Sequence, residues 1–230
     1  MAAPSPPDAA IRSVRLGAVL WLLSGVAVVG QLVAASAWQA PPYSWTDHAI
    51  SDLGVTACGR YDDLGGAVRT ICSPWHPVFN AAMVLAGLLI AVGGWLLRSA
   101  WATRLTRIAL VLMVPAGLAV AAVGAMPWDL LPDLHDLAAT VQWLVQVVAM
   151  ALCVSLVRDD RPGSRLLAVG TLGAVLVSVV GFGLFLAGPG AQSVIGWGLA
   201  ERLAFDVLTL WTVAVGAHVL VRQPHRVPAG

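Results

Sequence analysis

The chain has 230 residues, of which 59% are apolar and 11% are charged, and its net charge at pH 7 is +1. Ordinary soluble domains are about 45–50% apolar and about 25% charged, so the composition and a mean hydropathy of +0.83 exclude a typical soluble protein. Nucleic-acid binding has no support either, because the positive charges form short clusters beside apolar runs rather than an extended basic surface.

Six apolar runs follow a Pro- and Ala-rich start (residues 1–15) that we predict to be a cytoplasmic tail. The runs are Leu16–Ser36, Val78–Leu97, Ile108–Met126, Leu137–Val157, Leu166–Ala187 and Leu203–Val221. Each is close to the roughly 20 residues that an α-helix needs to cross about 30 Å of hydrocarbon. The sequence therefore predicts an all-α integral membrane protein, with a six-helix bundle at residues 16–221 and a second cytoplasmic tail at 222–230.

The first run also resembles a secretory signal peptide. Arg12 and Arg15 precede it, and Ala35-Ser36-Ala37 would give a small-residue cleavage site. However, the run is longer than the apolar part of such a signal. Ser24 and Gln31 lie seven residues apart on one helical face, which indicates contact with other helices. We favour a retained first span and keep cleavage as the alternative.

The longest connection, residues 37–77, lies between the first two spans, and we predict that it packs over the mouth of the bundle. Its first part, residues 43–54, mixes polar His48, Ser51 and Asp52 with apolar and aromatic side chains. That mixture is typical of a structured segment with its apolar side chains facing the bundle. A merely solubilising loop would not need it.

Two of the three cysteines, Cys58 and Cys72, lie in this loop, fourteen positions apart. An oxidising compartment would permit a disulfide between them, worth roughly 3 kcal/mol on the chain-entropy model. Two free thiols are the alternative. Cys153 lies deep in an apolar run and is predicted to be a packing residue.

Further polar residues mark the beginnings of later spans. His76 and Asn80 lie one turn apart, on one face, where the second span begins. The fourth span carries a line of polar residues at spacings of seven and four, formed by His135, Gln142 and Gln146. Such side chains on one helical face predict contacts with other polar groups inside the bundle.

The sixth span opens with Glu201 and Arg202, and Asp206 follows Arg202 by four residues. Asp206 would lie roughly 7 Å inside the helix mouth by helical rise. An ionisable group at that depth needs a partner. Arg202 is the nearest candidate, and we predict that the two side chains form an ion pair.

Two patterns of small and aromatic residues fit this arrangement. Lipid provides no hydrophobic drive between helices, so small residues within the spans predict close helix packing; they include Gly87, Gly117, Gly170 and Gly173. Aromatic residues near the outer boundary predict an interfacial belt, formed by Trp38, Trp45, Trp75, Trp128 and Trp197.

Charges are sorted by side of the predicted spans. Ten of the thirteen arginines share one side: Arg12, Arg15, Arg98, Arg104, Arg107, Arg158, Arg161, Arg165, Arg222 and Arg226. Nine of the twelve acids lie on the other side or at its edge: Asp47, Asp52, Asp62, Asp63, Asp129, Asp133, Asp136, Glu201 and Asp206. Because cationic loops stay in the cytoplasm, both termini are predicted to be cytoplasmic in a multi-pass protein of the inner (plasma) membrane.

Several of these segments together resemble a known family. They are Ile50-Ser51-Asp52-Leu53-Gly54, Asn80, His135 and Gly198-Leu199-Ala200-Glu201-Arg202. With the six-span layout, they resemble the bacterial membrane proteins of domain-of-unknown-function family 998. The layout is more loosely similar to eukaryotic DRAM-type six-span proteins, which have a comparable Ile-Ser-Asp segment. The resemblance implies the fold, and neither family brings a settled activity.

The leading functional hypothesis is a non-enzymatic protein of the cell envelope that binds a membrane lipid or another amphipathic ligand. Helix walls would hold the tail, and Arg202 with other polar residues at the outer mouth would hold the head group. The predicted site comprises Ser51, Asp52, Asn80, His135, Glu201, Arg202 and Asp206. No cofactor is expected, and a second copy or another envelope protein is a candidate partner.

Two alternatives stay open. A metal-dependent intramembrane hydrolase of lipid esters or amides would use His48, His76 and His135 as zinc ligands, with Asp52 beside them, although His-x-x-x-His and Cys-x-x-Cys spacings are missing. A proton-coupled transporter is third. It would rely on Asp206, but broken midplane helices and repeated halves are not evident.

Overall fold

The computed structural model describes residues 6–39, 41–61, 68–100, 103–154, 164–187 and 194–222. Within them, six helical segments are long and apolar enough to cross a membrane, which confirms the predicted all-α, six-span fold. The helices are α1 (Pro6–Leu23), α2 (Val26–Ser36), α3 (His76–Leu97), α4 (Arg104–Ala125), α5 (Pro132–Cys153), α6 (Ser164–Leu186) and α7 (Trp197–Arg222).

The first span is made of two helices, α1 and α2, with a break at Ser24 and Gly25. Helix α1 begins at Pro6, so residues 6–15, predicted to be part of a tail, are helical. Trp21 is fully buried and donates its indole N–H to the carbonyl oxygen of Ile90 on α3, at 3.0 Å. A chain cleaved after this span would lose that contact.

The core of the bundle is divided into two clusters. The larger one packs α1, α3, α4, α5, α6 and α7 around large side chains that include Trp21, Met113, Met150 and Leu208. Cys153 is buried in this cluster. Helices α3 and α4 approach each other through glycines: a Cβ atom added at Gly117 would lie 2.5 Å from the Ala91 nitrogen.

The second cluster packs the connection between the first two spans on the bundle. We call this connection, at positions 37–77, the outer loop after its predicted side. Ile50, Leu53, Val55 and Ile71 are buried against α2 and α3, as predicted for a segment with its apolar residues facing inwards. A short 3-10 helix covers Ser51–Gly54. The hairpin of β1 (Gly59–Tyr61) and β2 (Arg69–Ile71) is antiparallel, and a disulfide joins Cys58 and Cys72 at its base.

Trp38 departs from the predicted aromatic belt. It is 4% exposed and packs on Tyr43 and His48, with ring centroids 5.1 and 5.0 Å away. The prediction for this residue is wrong because the loop folds back over the end of α2 and covers it. Trp45 and Trp75 remain half-exposed, as a belt requires.

Candidate functional site

A buried ion pair holds the outer loop in shape. The Arg69 guanidinium donates from Nε and Nη2 to the two carboxylate oxygens of Asp52, both at 3.0 Å, and both side chains are buried. The backbone N–H of Ala49 donates to the same carboxylate at 2.9 Å. Burial raises the pKa of Asp52, while the Arg69 hydrogen bond acts in the opposite direction. The pair thus ties the hairpin to residues 49–52.

The mouth segment (residues 43–54) is fastened to the beginning of α7. Arg202 donates from Nη1 to the carbonyl oxygens of His48 and Gly198, at 3.0 and 2.8 Å, and from Nη2 to the Tyr43 hydroxyl. Tyr43 in turn donates to the Ala49 carbonyl at 2.9 Å. Burial raises the pKa of Tyr43, so its hydroxyl stays protonated near neutral pH.

Two glycines permit this close approach. Gly196 has a φ of 84°, which favours glycine. A Cβ atom added at Gly198 would overlap the carbonyl oxygen of His48. The Leu199 N–H then reaches the Thr46 carbonyl at 3.0 Å. The sequence Gly-x-Gly at 196–198 is therefore needed by the contact between α7 and the mouth segment.

A cavity lies beneath the mouth segment, among α2, α3, α4, α5 and α7. The space open to the centres of water molecules is about 40 Å³, enough for roughly three waters. Apolar residues form one part of its lining: Ala27, Ile50, Phe79, Met83, Val123, Ala139 and Phe205. Polar residues form the rest: Gln31, Ser51, His135, Gln142, Glu201, Asp206 and Thr209.

Two carboxyl groups face this cavity, each with one protein donor. Glu201 accepts a hydrogen bond at Oε2 from the Ile50 N–H. Asp206 accepts one at Oδ1 from the Gln31 side chain of α2, at 2.6 Å. Among the described residues, Glu201 Oε1 and Asp206 Oδ2 have no hydrogen-bond partner. These two oxygens are therefore available to an occupant.

The predicted ion pair between Arg202 and Asp206 is wrong. Within the described part of the chain, Arg202 bonds the mouth segment and Asp206 bonds Gln31. Helical side chains point back towards the N-terminus of their helix, so Arg202 reaches outwards to the loop. Asp206 lies one turn deeper, where Gln31 on the neighbouring helix is the closer donor.

The seven residues of the predicted site divide into two groups. Ser51, His135, Glu201 and Asp206 line the cavity. The other three have structural contacts: Asp52 with Arg69, Arg202 with the mouth segment, and Asn80 with the Gly54 carbonyl at 3.0 Å. The structure thus places the candidate site deeper than the outer mouth.

The three outer histidines do not converge. Each bonds the backbone of its own surroundings: His48 Nδ1 accepts from the Ser44 N–H, whereas Nδ1 of His76 and of His135 lie 2.8 and 2.7 Å from the Ser73 and Met126 carbonyl oxygens. In the described ranges, no group of three His, Cys, Asp or Glu side chains could hold a metal ion. The zinc-ligand set predicted from the sequence therefore lacks a common centre.

Sequence reasoning missed two contributors. Gln142 was recognised only as part of a polar line, yet it is 4% exposed and lines the cavity without a hydrogen-bond partner among the described residues. Arg69 was not singled out. Arg69 lies on the predicted outer side, where most residues with a charge are acidic and few are arginines. An arginine at such a position needs a specific partner, and this could have been used to find it.

Comparison with known proteins gives one match. No curated protein and no solved structure matches the chain. The family model described as "Protein of unknown function (DUF998)" matches residues 16–218, which include all the residues of the cavity. This match confirms the resemblance to domain-of-unknown-function family 998 that the sequence indicated. Since it covers most of the chain, the protein belongs to the DUF998 family.

Proposed function

We propose that the protein binds an amphipathic molecule, with its head group in the cavity beneath the mouth segment. The observation that supports this most directly is the two-sided lining. Phe79, Met83 and Phe205 offer apolar surface, while Gln142 and the carboxyls offer polar contacts in the same cavity. Binding sites for small molecules typically combine apolar walls with a few well-placed polar groups.

The volume of the cavity limits what enters it. About 40 Å³ accommodates roughly three waters, which corresponds to a small head group rather than a whole lipid. The tail would then lie along the exposed apolar faces of the helices, where Leu137, Leu144 and Leu210 are more than half exposed. Arg202 is not assigned to the head group, since its Nη1 and Nη2 groups donate to the mouth segment and to the Gly198 carbonyl.

A matched pair of variants on α5 tests this proposal. Ala139 lines the cavity, whereas Ala151 on the same helix is exposed. Ala139→Leu should fill the space and lower the molar ratio of lipid that co-purifies with the protein, measured by mass spectrometry after purification in a mild detergent. Ala151→Leu should leave the ratio unchanged. Equal lipid content in both variants and the wild type would contradict binding in this cavity.

We also infer that the protein lies in the plasma membrane of a bacterial cell envelope, with the mouth segment outside. The arginine distribution supports this orientation. In a Cys153→Ser background with the disulfide intact, Thr70→Cys on the exposed side of β2 should react with a membrane-impermeant maleimide in intact cells. Ser99→Cys, after α3, should react only after lysis. The reverse pattern would invert the orientation.

A further inference from the structure

We infer that the head group bound in this cavity carries a primary ammonium group. This inference rests on the proposed function and specifies its ligand class. Among the described residues, the lining of the cavity has two carboxyl side chains, Glu201 and Asp206, and the imidazole of His135, but no arginine or lysine. Such a lining disfavours an anionic head group, since a phosphate or carboxylate would meet like charges in a low-dielectric site. The occupant is therefore a donor of hydrogen bonds.

The balance of charge around the cavity indicates one positive charge on the occupant. Glu201 and Asp206 contribute two negative charges when ionised. Arg202, one helical turn from Asp206, offsets one of them, although its hydrogen bonds are made elsewhere. Asp52 and Arg69 neutralise each other. One negative charge remains, and a monovalent cation would balance it.

The hydrogen-bonding capacity of the lining favours a primary ammonium over other cations. Several acceptors in the lining lack a partner among the described residues, including Glu201 Oε1, Asp206 Oδ2 and the side-chain carbonyl of Gln142. Gln142 is 96% buried, and its side-chain amide has no hydrogen-bond partner among the described residues, so an occupant of the cavity is the partner available to it. A primary ammonium has three donors, which these acceptors can take up. A quaternary ammonium has no donor and would leave these acceptors unsatisfied.

The size of the cavity agrees with this group. An ammonium is close to a water molecule in size, so a space for roughly three waters holds it with a short stem. Two sources share this chemistry: the ethanolamine head group of a phospholipid and a long-chain free amine. In the first case the phosphate would have to remain outside the acidic lining, towards the mouth segment.

Three single-chain probes of similar length test the inference on the full protein in a neutral maltoside detergent near pH 7. They are octylamine, octyltrimethylammonium and octanol, and the readout is the thermal unfolding midpoint as a function of probe concentration. Octylamine should raise the midpoint in a saturable manner, whereas the other two should not. Lysophosphatidylethanolamine, compared with lysophosphatidylcholine, separates the sources: a response to the ethanolamine lipid indicates a phospholipid, and a response to octylamine alone indicates a free amine.

Variants of the lining give the second arm. Glu201→Gln, Asp206→Asn and Gln142→Leu should each weaken the octylamine response roughly tenfold or more in concentration, the usual effect of removing a partner from a charged hydrogen bond. Asp133→Asn is the matched control, because Asp133 is exposed at the beginning of α5, outside the cavity. It should respond as the wild type does.

Three results would overturn the inference. An equal response to octyltrimethylammonium would show that a positive charge without hydrogen-bond donors is enough for binding. An equal response to octanol that the carboxyl variants do not change would mean that the cavity binds amphiphiles in general. The specific preference for an amine would then be contradicted. A higher unfolding midpoint for Asp206→Asn without any probe, together with no response of the wild type to octylamine, would show that a proton balances the charge. If, in addition, Ala139→Leu did not change the co-purified lipid, the proposed function itself would fail.

Discussion

Asp52→Ala is expected to lower the free energy of unfolding by about 3–5 kcal/mol, the usual loss when one partner of a buried ion pair is removed. The change leaves the Arg69 guanidinium, which is 8% exposed, without its carboxylate. It also removes the acceptor of the Ala49 N–H. Because Asp52 connects β2 to the mouth segment, we expect the outer loop to lose its packing over the cavity. Thermal unfolding in detergent, followed by tryptophan fluorescence, would measure the loss.

A double variant and a matched control make this prediction specific. Asp52→Ala combined with Arg69→Met should recover part of the stability, because no uncompensated charge is then buried. Arg60→Met is the control, since Arg60 is exposed on the neighbouring strand β1, and a surface change of this kind stays within about 0.5 kcal/mol. A loss for Asp52→Ala no greater than that of Arg60→Met would mean that water reaches the pair.

The membrane fold could be predicted from the sequence because its physical cause is local. Each span needs about 20 consecutive apolar residues, and the six runs supply them one after another. The beginning of α5 at Pro132 follows from the same kind of local signal, since proline is favoured at the first helical position. The apolar residues of the outer loop likewise indicated that it packs on the bundle, and Ile50, Leu53 and Ile71 are buried there.

The partners within the site were harder to predict because they are set by distant parts of the chain. The Asp206 acceptor and its Gln31 donor are 175 residues apart, and sequence reasoning assigned Asp206 to the nearest cation instead. Arg202 was expected to hold a ligand but reaches 159 residues back to Tyr43. Spacing on a helix shows which side chains share a face. It does not show which neighbouring helix or loop faces them.

The glycines also show that a sequence pattern does not reveal the neighbours of a residue in the fold. Reasoning from composition treated them alike, as small residues for close packing. In the structure, Gly87 and Gly117 lie where the backbones of α3 and α4 meet, so that a Cβ added at either would contact backbone atoms of the other helix. At Gly170 and Gly173 on α6, an added Cβ would meet no atom of another helix within 4 Å among the described residues. Replacing glycine by alanine should therefore lower the stability of the bundle at Gly87 and Gly117 and raise it at Gly170 and Gly173.

Gly117→Ala is expected to destabilise the bundle by about 1–3 kcal/mol, the usual cost of overpacking a close contact. An added Cβ would lie 2.5 Å from both the Ala91 nitrogen and the Gly87 oxygen, and neither atom can move without shifting α3. Gly173→Ala, the matched control, should stabilise by up to about 1 kcal/mol, because alanine favours a helix over glycine and no neighbouring atom opposes it. Unfolding midpoints of the two variants in one detergent, compared with the wild type, would test both signs. Similar midpoints for the two variants would mean that α3 and α4 are farther apart than the contact at Gly117 requires. The cavity bounded by Phe79, Met83 and Val123 on these helices would then be larger than a small head group needs.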